Sequence, residues 1–289
     1  METTSEGKTI IITGANSGIG KAAAEKLANH GNVVILACRS EARGKKAAEE
    51  ILGRHPAAEL DVVVVDMASQ ASIQQFAKTF LSKYKKLDVL IHNAANFDLT
   101  MRKPVLTEDG IETIFATNHV GPFLMTKLLG EIMEKSAPGR VITIASKGLL
   151  LYPNLTIEFD NLNGQRKYSP QHAYYHSKQA QIMFTYQLAE RMKNKGISAN
   201  CIRVTNVALP DEKIAHLPAW QQKIYKLKRS KAITPEQQAE VYKYLAVSPE
   251  VEGITGKYWD ESKCQVNSNQ KSYNRETWQR LWEATDALV

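Results

Sequence analysis

Tyr174 and Lys178 lie one helical turn apart in the stretch 171–194, whose apolar periodicity predicts a long helix. Side chains at i and i+4 share a helix face, so this phenol and this ammonium can enter the same cleft. A free phenol has a pKa of about 10 and gives up little proton at neutral pH. A nearby ammonium favours the phenolate, a tenfold gain in acidity being worth about 1.4 kcal/mol, and turns the pair into a general acid or base. Of the 11 tyrosines, Tyr174 alone has a lysine four residues on. Two further polar residues stand where elements should meet. Ser146 follows the apolar run 141–145, and Asn118 interrupts the helical pattern of 108–135, where asparagine is unfavourable and a polar function is worth considering. Ser146 taken alone could equally be an ordinary loop serine.

A second constellation opens the chain. The β-branched run 9–13 reads as a buried parallel strand, it breaks at Gly14, and a helical pattern starts near Gly18. Strand, glycine turn and helix start together form a geometry that binds pyrophosphate. Glycines let backbone N–H groups approach the anion, and the helix N-terminus offers unpaired donors with partial positive charge. Gly14, Asn16, Ser17, Gly18, Ile19 and Gly20 are the candidate contacts. Their spacing is Gly-x-x-x-Gly-x-Gly, not the Gly-x-Gly-x-x-Gly of other dinucleotide folds. Such turns also occur for packing alone.

The remaining pattern supplies the scaffold. Apolar runs at 33–38, 60–65, 88–92, 141–145, 197–204 and 253–259 predict further strands. Helical patterns separate them at 41–53, 69–85, 108–135, 171–194 and 235–246, the second with an apolar stripe of Ile73, Phe76, Ala77, Phe80 and Leu81. Strands alternating with helices imply βαβ units and a parallel sheet covered on both faces. The expectation is an α/β fold, one doubly wound domain over 1–289 with a seven-stranded parallel sheet. Three segments fall outside the rhythm: 147–170, 209–232 and a C-terminal extension, 260–289. Within the second, Ile214, Leu217, Trp220, Ile224 and Leu227 have helical spacing opposite a basic face, with Pro218 restarting the helix. The first two leave the C-terminal edge of the sheet, where such folds place ligands.

Composition excludes several classes. The chain has 289 residues, 43% hydrophobic and 23% charged, which is ordinary for a globular protein. No apolar run approaches the roughly 18 residues of a spanning helix, and the acidic, polar first residues do not read as a signal peptide. Cys38, Cys201 and Cys264 have no metal or redox spacing, which argues against a disulfide framework or a zinc site and for a reducing, cytoplasmic setting. The net charge of +7 is spread along the chain, so an anionic ligand or solubility explains it better than nucleic acid.

Thr13-Gly14-x3-Gly18-x-Gly20, His92-Asn93-Ala94-Ala95, Asn118, Ser146 and Tyr174-x3-Lys178, in that order, resemble the short-chain dehydrogenase/reductase family over roughly 7–260. The segments Ala37-Cys38-Arg39-Ser40, Ala173-Tyr174-Tyr175-His176-Ser177-Lys178 and Gly253-Ile254-Thr255-Gly256-Lys257 look like its retinol dehydrogenase branch. The resemblance implies a Rossmann fold and hydride transfer between a nicotinamide cofactor and a carbonyl or alcohol. It implies that Tyr174 is the proton donor, that Ser146 hydrogen-bonds the substrate oxygen, and that Lys178 also holds the nicotinamide ribose. Asn118 would fix a kinked helix and a water in a proton relay. Tyr174, Lys178, Asn93 and Ala94 would line the cofactor site, with Asp66 and Met67 at the adenine; Asp66 could instead cap the helix beginning near Ser69.

Cofactor choice turns on the end of the second strand, where an acid suits NAD and an arginine suits a 2′-phosphate. Arg39 stands there with no acid before Glu41, so NADP(H) is expected. His92 and Ala95 depart from the family's Asn-Asn-Ala-Gly. Val204-Thr205 stands where the family has Pro-Gly, leaving Val207 as the expected nicotinamide contact. The apolar residues of 149–155 and the Trp220 helix either roof a pocket or pack on the sheet. The first reading gives a lipophilic aldehyde or ketone as substrate, with reduction favoured. A membrane surface is a weaker alternative for the basic 211–231 segment. A non-catalytic dinucleotide-binding regulator is the rival function. The resemblance also implies a homodimer or homotetramer built through the long helices, while residues 275–289 could pack on the chain itself or on a partner.

Overall fold

In a computed structural model, residues 7–28, 31–98, 100–208 and 232–289 are described. The helix expected around Trp220 and Pro218, with its basic face, lies outside them.

The first strand, β1 (Thr9–Thr13), carries three consecutive isoleucines, Ile10, Ile11 and Ile12, all fully buried. An unbroken apolar strand needs cover on both faces, and it has it. Ile10 and Ile12 face α1 (Gly18–Ala28), α2 (Glu41–Arg54) and α7 (Pro235–Val247). Ile11 faces α3 (Gln70–Lys83), α5 (Gly121–Lys135) and α6 (Pro170–Met192). The other strands are β2 (Val33–Cys38), β3 (Glu59–Val64), β4 (Val89–His92), β5 (Gly139–Ser146), β6 (Ile197–Val204), β7 (Lys257–Trp259) and β8 (Gln265–Val266). Their spatial order is β3-β2-β1-β4-β5-β6-β7-β8. The order reverses between β1 and β4, which leaves a crevice beyond their C-terminal ends.

The sheet has eight strands where seven were expected. The additional one, β8, is two residues long and pairs antiparallel with β7 at the edge. A segment so short has no periodicity to read.

Local chemistry sets the helix starts. Ser169 Oγ accepts from His172 N at 3.3 Å and Pro170 takes the first position of α6. Thr234 and Gln237 form a reciprocal capping box at α7. Ser69, not Asp66, caps α3, accepting from Ser72 N at 3.3 Å. Within α3 the stripe Ile73, Phe76, Ala77 and Phe80 is buried, but Leu81 is exposed, at the margin of the face.

The pattern 108–135 divides. A short α4 (Thr113–Phe115) passes into a π-helical turn, Ala116–Val120, before α5. After β5, the irregular 147–170 segment begins as a 3-10 turn, Lys147–Leu151, with Leu149 in the core and Leu150 and Leu151 exposed. The last helix, α8 (Arg275–Asp286), lies across α5 and α6. Trp282 packs on Phe123 and Phe184, so these residues of the long helices are covered within the chain itself.

Candidate active site

The turn after β1 is stitched to its neighbours by backbone and side chains. Gly14 N donates to Ala37 O at 2.7 Å. Asn93 Nδ2 donates to Thr13 O at 2.9 Å and to Gly14 O at 3.3 Å, and its Oδ1 accepts from Tyr242 OH at 3.1 Å. Thr13 Oγ1 accepts from Ala94 N at 3.0 Å. A Cβ on Gly20 would collide with Asn93 Nδ2 and the Gly14 carbonyl, so the helix can start this close to β4 only with glycine there. Gly18 differs: its φ is +57° and a Cβ would meet nothing, because it faces open space at the start of α1.

That space is a cleft of about 660 Å³. It is bounded by the glycine turn from Gly14 to Gly20, including Asn16, Ser17 and Ile19, and by Arg39, Asp66, Met67, Asn93 and Ala94, as the sequence places them. Asp66 Oδ1 accepts from Ala68 N at 2.9 Å, which holds the carboxylate at the rim. Arg43, one turn into α2, stands beside Arg39; it was legible only as a helix residue, and its place in the cleft follows from α2 packing on β3. Glu41, the first acid after β2, is paired with Lys45 at 2.7 Å.

The cleft stops at Phe97. This ring packs on Tyr174 with centroids 4.2 Å apart and is itself 45% exposed. Tyr174, Ser146, Lys178 and Asn118 lie behind it, outside the lining of the cleft. Phe97 follows the Asn93-Ala94-Ala95 turn with no pattern to mark it, so sequence reasoning missed it.

Behind Phe97 the expected residues converge. Ser146 ends β5, and its Oγ accepts from Gly148 N at 3.2 Å and hydrogen-bonds the Tyr174 side chain. Lys178, 2% exposed, sends its Nζ to Ile144 O at 2.8 Å and sits 5.7 Å from the centre of the Tyr174 ring. Burial brings the Lys178 ammonium down to about 8, against a small upward effect of Cys201. The phenol shifts upward with Lys178 alone beside it, whereas the expected lowering combined Lys178 with the positive nicotinamide of a bound cofactor. Burial, then the Tyr175 ring, hold Tyr174 well above the ordinary tyrosine range, and only the Ser146 hydrogen bond opposes them. Phe97 packs on the ring and Lys178 is engaged by a carbonyl, and desolvation by the surrounding protein outweighs the ammonium.

Asn118 reaches the site indirectly. It is fully buried in the π-helical turn, accepting from Asn96 N at 2.7 Å and donating to Asn96 O at 3.1 Å. Its Nδ2 also donates to Ser177 Oγ at 2.9 Å, because the Ser177 hydroxyl gives its one hydrogen to Tyr174 O at 2.7 Å. The side chain thus joins the loop after β4 to the backbone of Tyr174. It fixes the bent helix, while its polar atoms are committed to protein partners.

Val204 extends β6 into register with Ser146, and Thr205 N donates to Gln238 Oε1 at 3.2 Å. Val207 then makes a parallel backbone bridge to Ile233.

Comparison with known proteins agrees with this arrangement. The short chain dehydrogenase family matches residues 8–213. Human retinol dehydrogenase 14 is 35% identical over 98% of this chain and 86% of its own. Human retinol dehydrogenase 13 is 36% identical over 98% and 85%. Among solved structures, a short chain dehydrogenase from Salmonella enterica superposes with a TM-score of 0.68 at 21% identity, covering 90% of this chain and 98% of that one. The fold, the match and the relatives together place the chain in the short-chain dehydrogenase/reductase family of oxidoreductases, alongside the retinol dehydrogenases.

Proposed function

We propose that the protein is an NADP(H)-dependent reductase of lipophilic aldehydes or ketones, with Tyr174 as the proton donor. The observation that carries the reading is a phenol held protonated by burial, hydrogen-bonded to Ser146 and backed by Lys178, at the end of a cleft with arginines at its far side.

The residues present fit the cofactor. Gly18 opens the N-terminus of α1 to an anion, and a pyrophosphate there would meet unpaired backbone donors. Asp66 and Met67 border the region suited to adenine, and Arg39 with Arg43 offers two guanidiniums to a 2′-phosphate. Bound there, NADPH supplies the hydride that reduces a carbonyl carbon. The carbonyl oxygen gains electron density as the carbon is reduced, and Tyr174 Oη gives it the proton that completes the alcohol. The Ser146 hydroxyl accepts from Gly148 N through a lone pair, and its one hydrogen, turned to Tyr174 in the free chain, would swing to the substrate oxygen. Lys178, charged below pH about 8, stabilises the phenolate left on Tyr174. Asn118, through Ser177, holds the backbone of Tyr174 in place.

The exposed rings and side chains near the site, Phe97, Leu150 and Leu151, favour an apolar substrate. Loss of NADPH absorbance over a panel of aliphatic, aryl and polyene carbonyls tests the proposal. Turnover of lipophilic carbonyls with NADPH supports it; tight nucleotide binding with no turnover of any carbonyl or alcohol refutes it in favour of a binding role.

A further inference from the structure

We infer that the C-terminal helix is a positioning element of the catalytic centre, acting through a hydrogen bond between Thr285 and His119. The inference rests on reading Tyr174 and its neighbours as a proton-transfer site.

Helix α8 lies beyond the 8–213 stretch that matches the family. Trp282 seats it against Phe123 and Phe184 at ring separations of 4.8 and 5.9 Å, and Trp278 packs on Tyr186 at 5.6 Å. Its last turn carries Thr285, 1% exposed, to His119 in the π-helical turn, with Oγ1 and Nε2 2.9 Å apart. The direction of this bond can be deduced. Thr285 spends its hydroxyl hydrogen on Leu281 O at 2.7 Å, so the imidazole must donate. His119 is neutral, its pKa brought down to about 3 by burial and then by His176, so it has one ring hydrogen. That hydrogen is on Nε2 and points into α8, while Nδ1 meets no protein partner among the described residues. Thr285 is the acceptor that this buried donor needs, which fixes the imidazole to α8.

Asn118 is the preceding residue. A π-helical turn is a rare, wide geometry, and here it is clamped from both sides. Asn118 ties it inward to Asn96 and Ser177; His119 ties it outward to Thr285. Without the outer clamp, the turn is free to tighten toward ordinary helix, which rotates Asn118 away from Asn96 and Ser177. The Ser177 hydroxyl, which bonds Tyr174 O, then loses the Asn118 donor that holds it in place. Misplacement of reacting groups by about 1 Å can cost on the order of 100-fold in rate, so a partial loosening is expected to cost about tenfold.

Thr285→Val removes the acceptor at nearly constant volume, and Thr285→Ser keeps it. The valine variant is expected to lower kcat about tenfold and to raise amide hydrogen exchange across 113–121, with NADPH Kd within about twofold of wild type. The serine variant is expected to restore both kcat and the exchange rate. A second variant, Asp286→Asn with Gln70→Ala, cuts the surface tethers to Lys127 and the Leu288 carbonyl and strands no buried donor. It is expected to raise the same exchange to a lesser degree, and it decides the matter if the valine variant fails to fold. Wild-type exchange at 113–121 in the folded variants, or equal loss of kcat in valine and serine variants, overturns the inference. If wild-type protein turns over no carbonyl, the functional reading falls, and the exchange measurement alone decides whether α8 holds the turn.

Discussion

Replacing Arg39 and Arg43 with alanine should move the cofactor preference without touching the chemistry. Both guanidiniums border the cleft at the end of β2 and the start of α2, and both are exposed. A shielded charge-assisted bond to a phosphate contributes about 1.5–3 kcal/mol. Exposure and salt reduce that, and about 1 kcal/mol apiece is the appropriate figure. Each single substitution should therefore lower kcat/KM for NADPH about fivefold, and the pair roughly 30-fold if the two act independently. NADH lacks the 2′-phosphate, so its kcat/KM should change less than twofold. The assay is steady-state oxidation of each nucleotide with one carbonyl substrate, at low ionic strength and at about 0.15 M salt, where the Debye length is about 8 Å. The NADPH advantage of the wild type should shrink with salt, and that of the double variant should not. Equal losses for both nucleotides, or a wild-type preference for NADH, would refute the reasoning, because the arginines would then be shaping the cleft generally and not reading a phosphate.

Three more outcomes follow from the site. Tyr174→Phe keeps the ring packed between Phe97 and Tyr175 but has no proton to give, so kcat should fall at least about 100-fold while circular dichroism and NADPH Kd stay near wild type. Lys178 is charged below about 8 and neutral above it, so reduction should slow about tenfold per pH unit on the alkaline side of that value. Lys178→Arg, with a guanidinium that stays charged, should remove that limb where the variant folds, and a wild-type profile flat to pH about 10 would contradict the assignment. Phe97→Ala uncovers the phenol; ultraviolet titration should show Tyr174 ionising at lower pH than in wild type, and kcat/KM for aryl carbonyls should change by up to about tenfold as a ring contact worth about 0.5–1.5 kcal/mol is lost.

What could be read from sequence was whatever repeats locally. Three isoleucines in β1 demand cover on both faces, and Gly14, Gly18 and Gly20 mark a turn whose backbone has unusual freedom, so the α/β scaffold and the nucleotide end of the site were legible. Tyr174 and Lys178 share a face because any helix puts them there. Leu81 was misplaced because it sits at the edge of its stripe, where periodicity loses resolution. Leu150 and Leu151 belong to no periodic element at all, and their exposure follows from the direction the 3-10 turn takes after Ser146. The π-helical turn left only one trace, an asparagine in a helical pattern, because the extra residue of such a turn is visible in backbone geometry and not in composition.

The acidity of Tyr174 shows where sequence reasoning stops. Types and spacing establish which groups can exchange a proton, and they brought phenol, hydroxyl and ammonium together correctly. The acidity of the phenol depends instead on what surrounds it, and part of that is Phe97, 77 residues away in the chain and outside any motif, whose ring packs on it. An ammonium near a solvated phenol lowers its pKa; the same ammonium turned to the Ile144 carbonyl, beside a phenol packed among protein groups, does not prevail over desolvation. A protonated phenol can donate in carbonyl reduction, and the reverse reaction would need its phenolate to be favoured by Lys178 together with the positive nicotinamide of a bound cofactor.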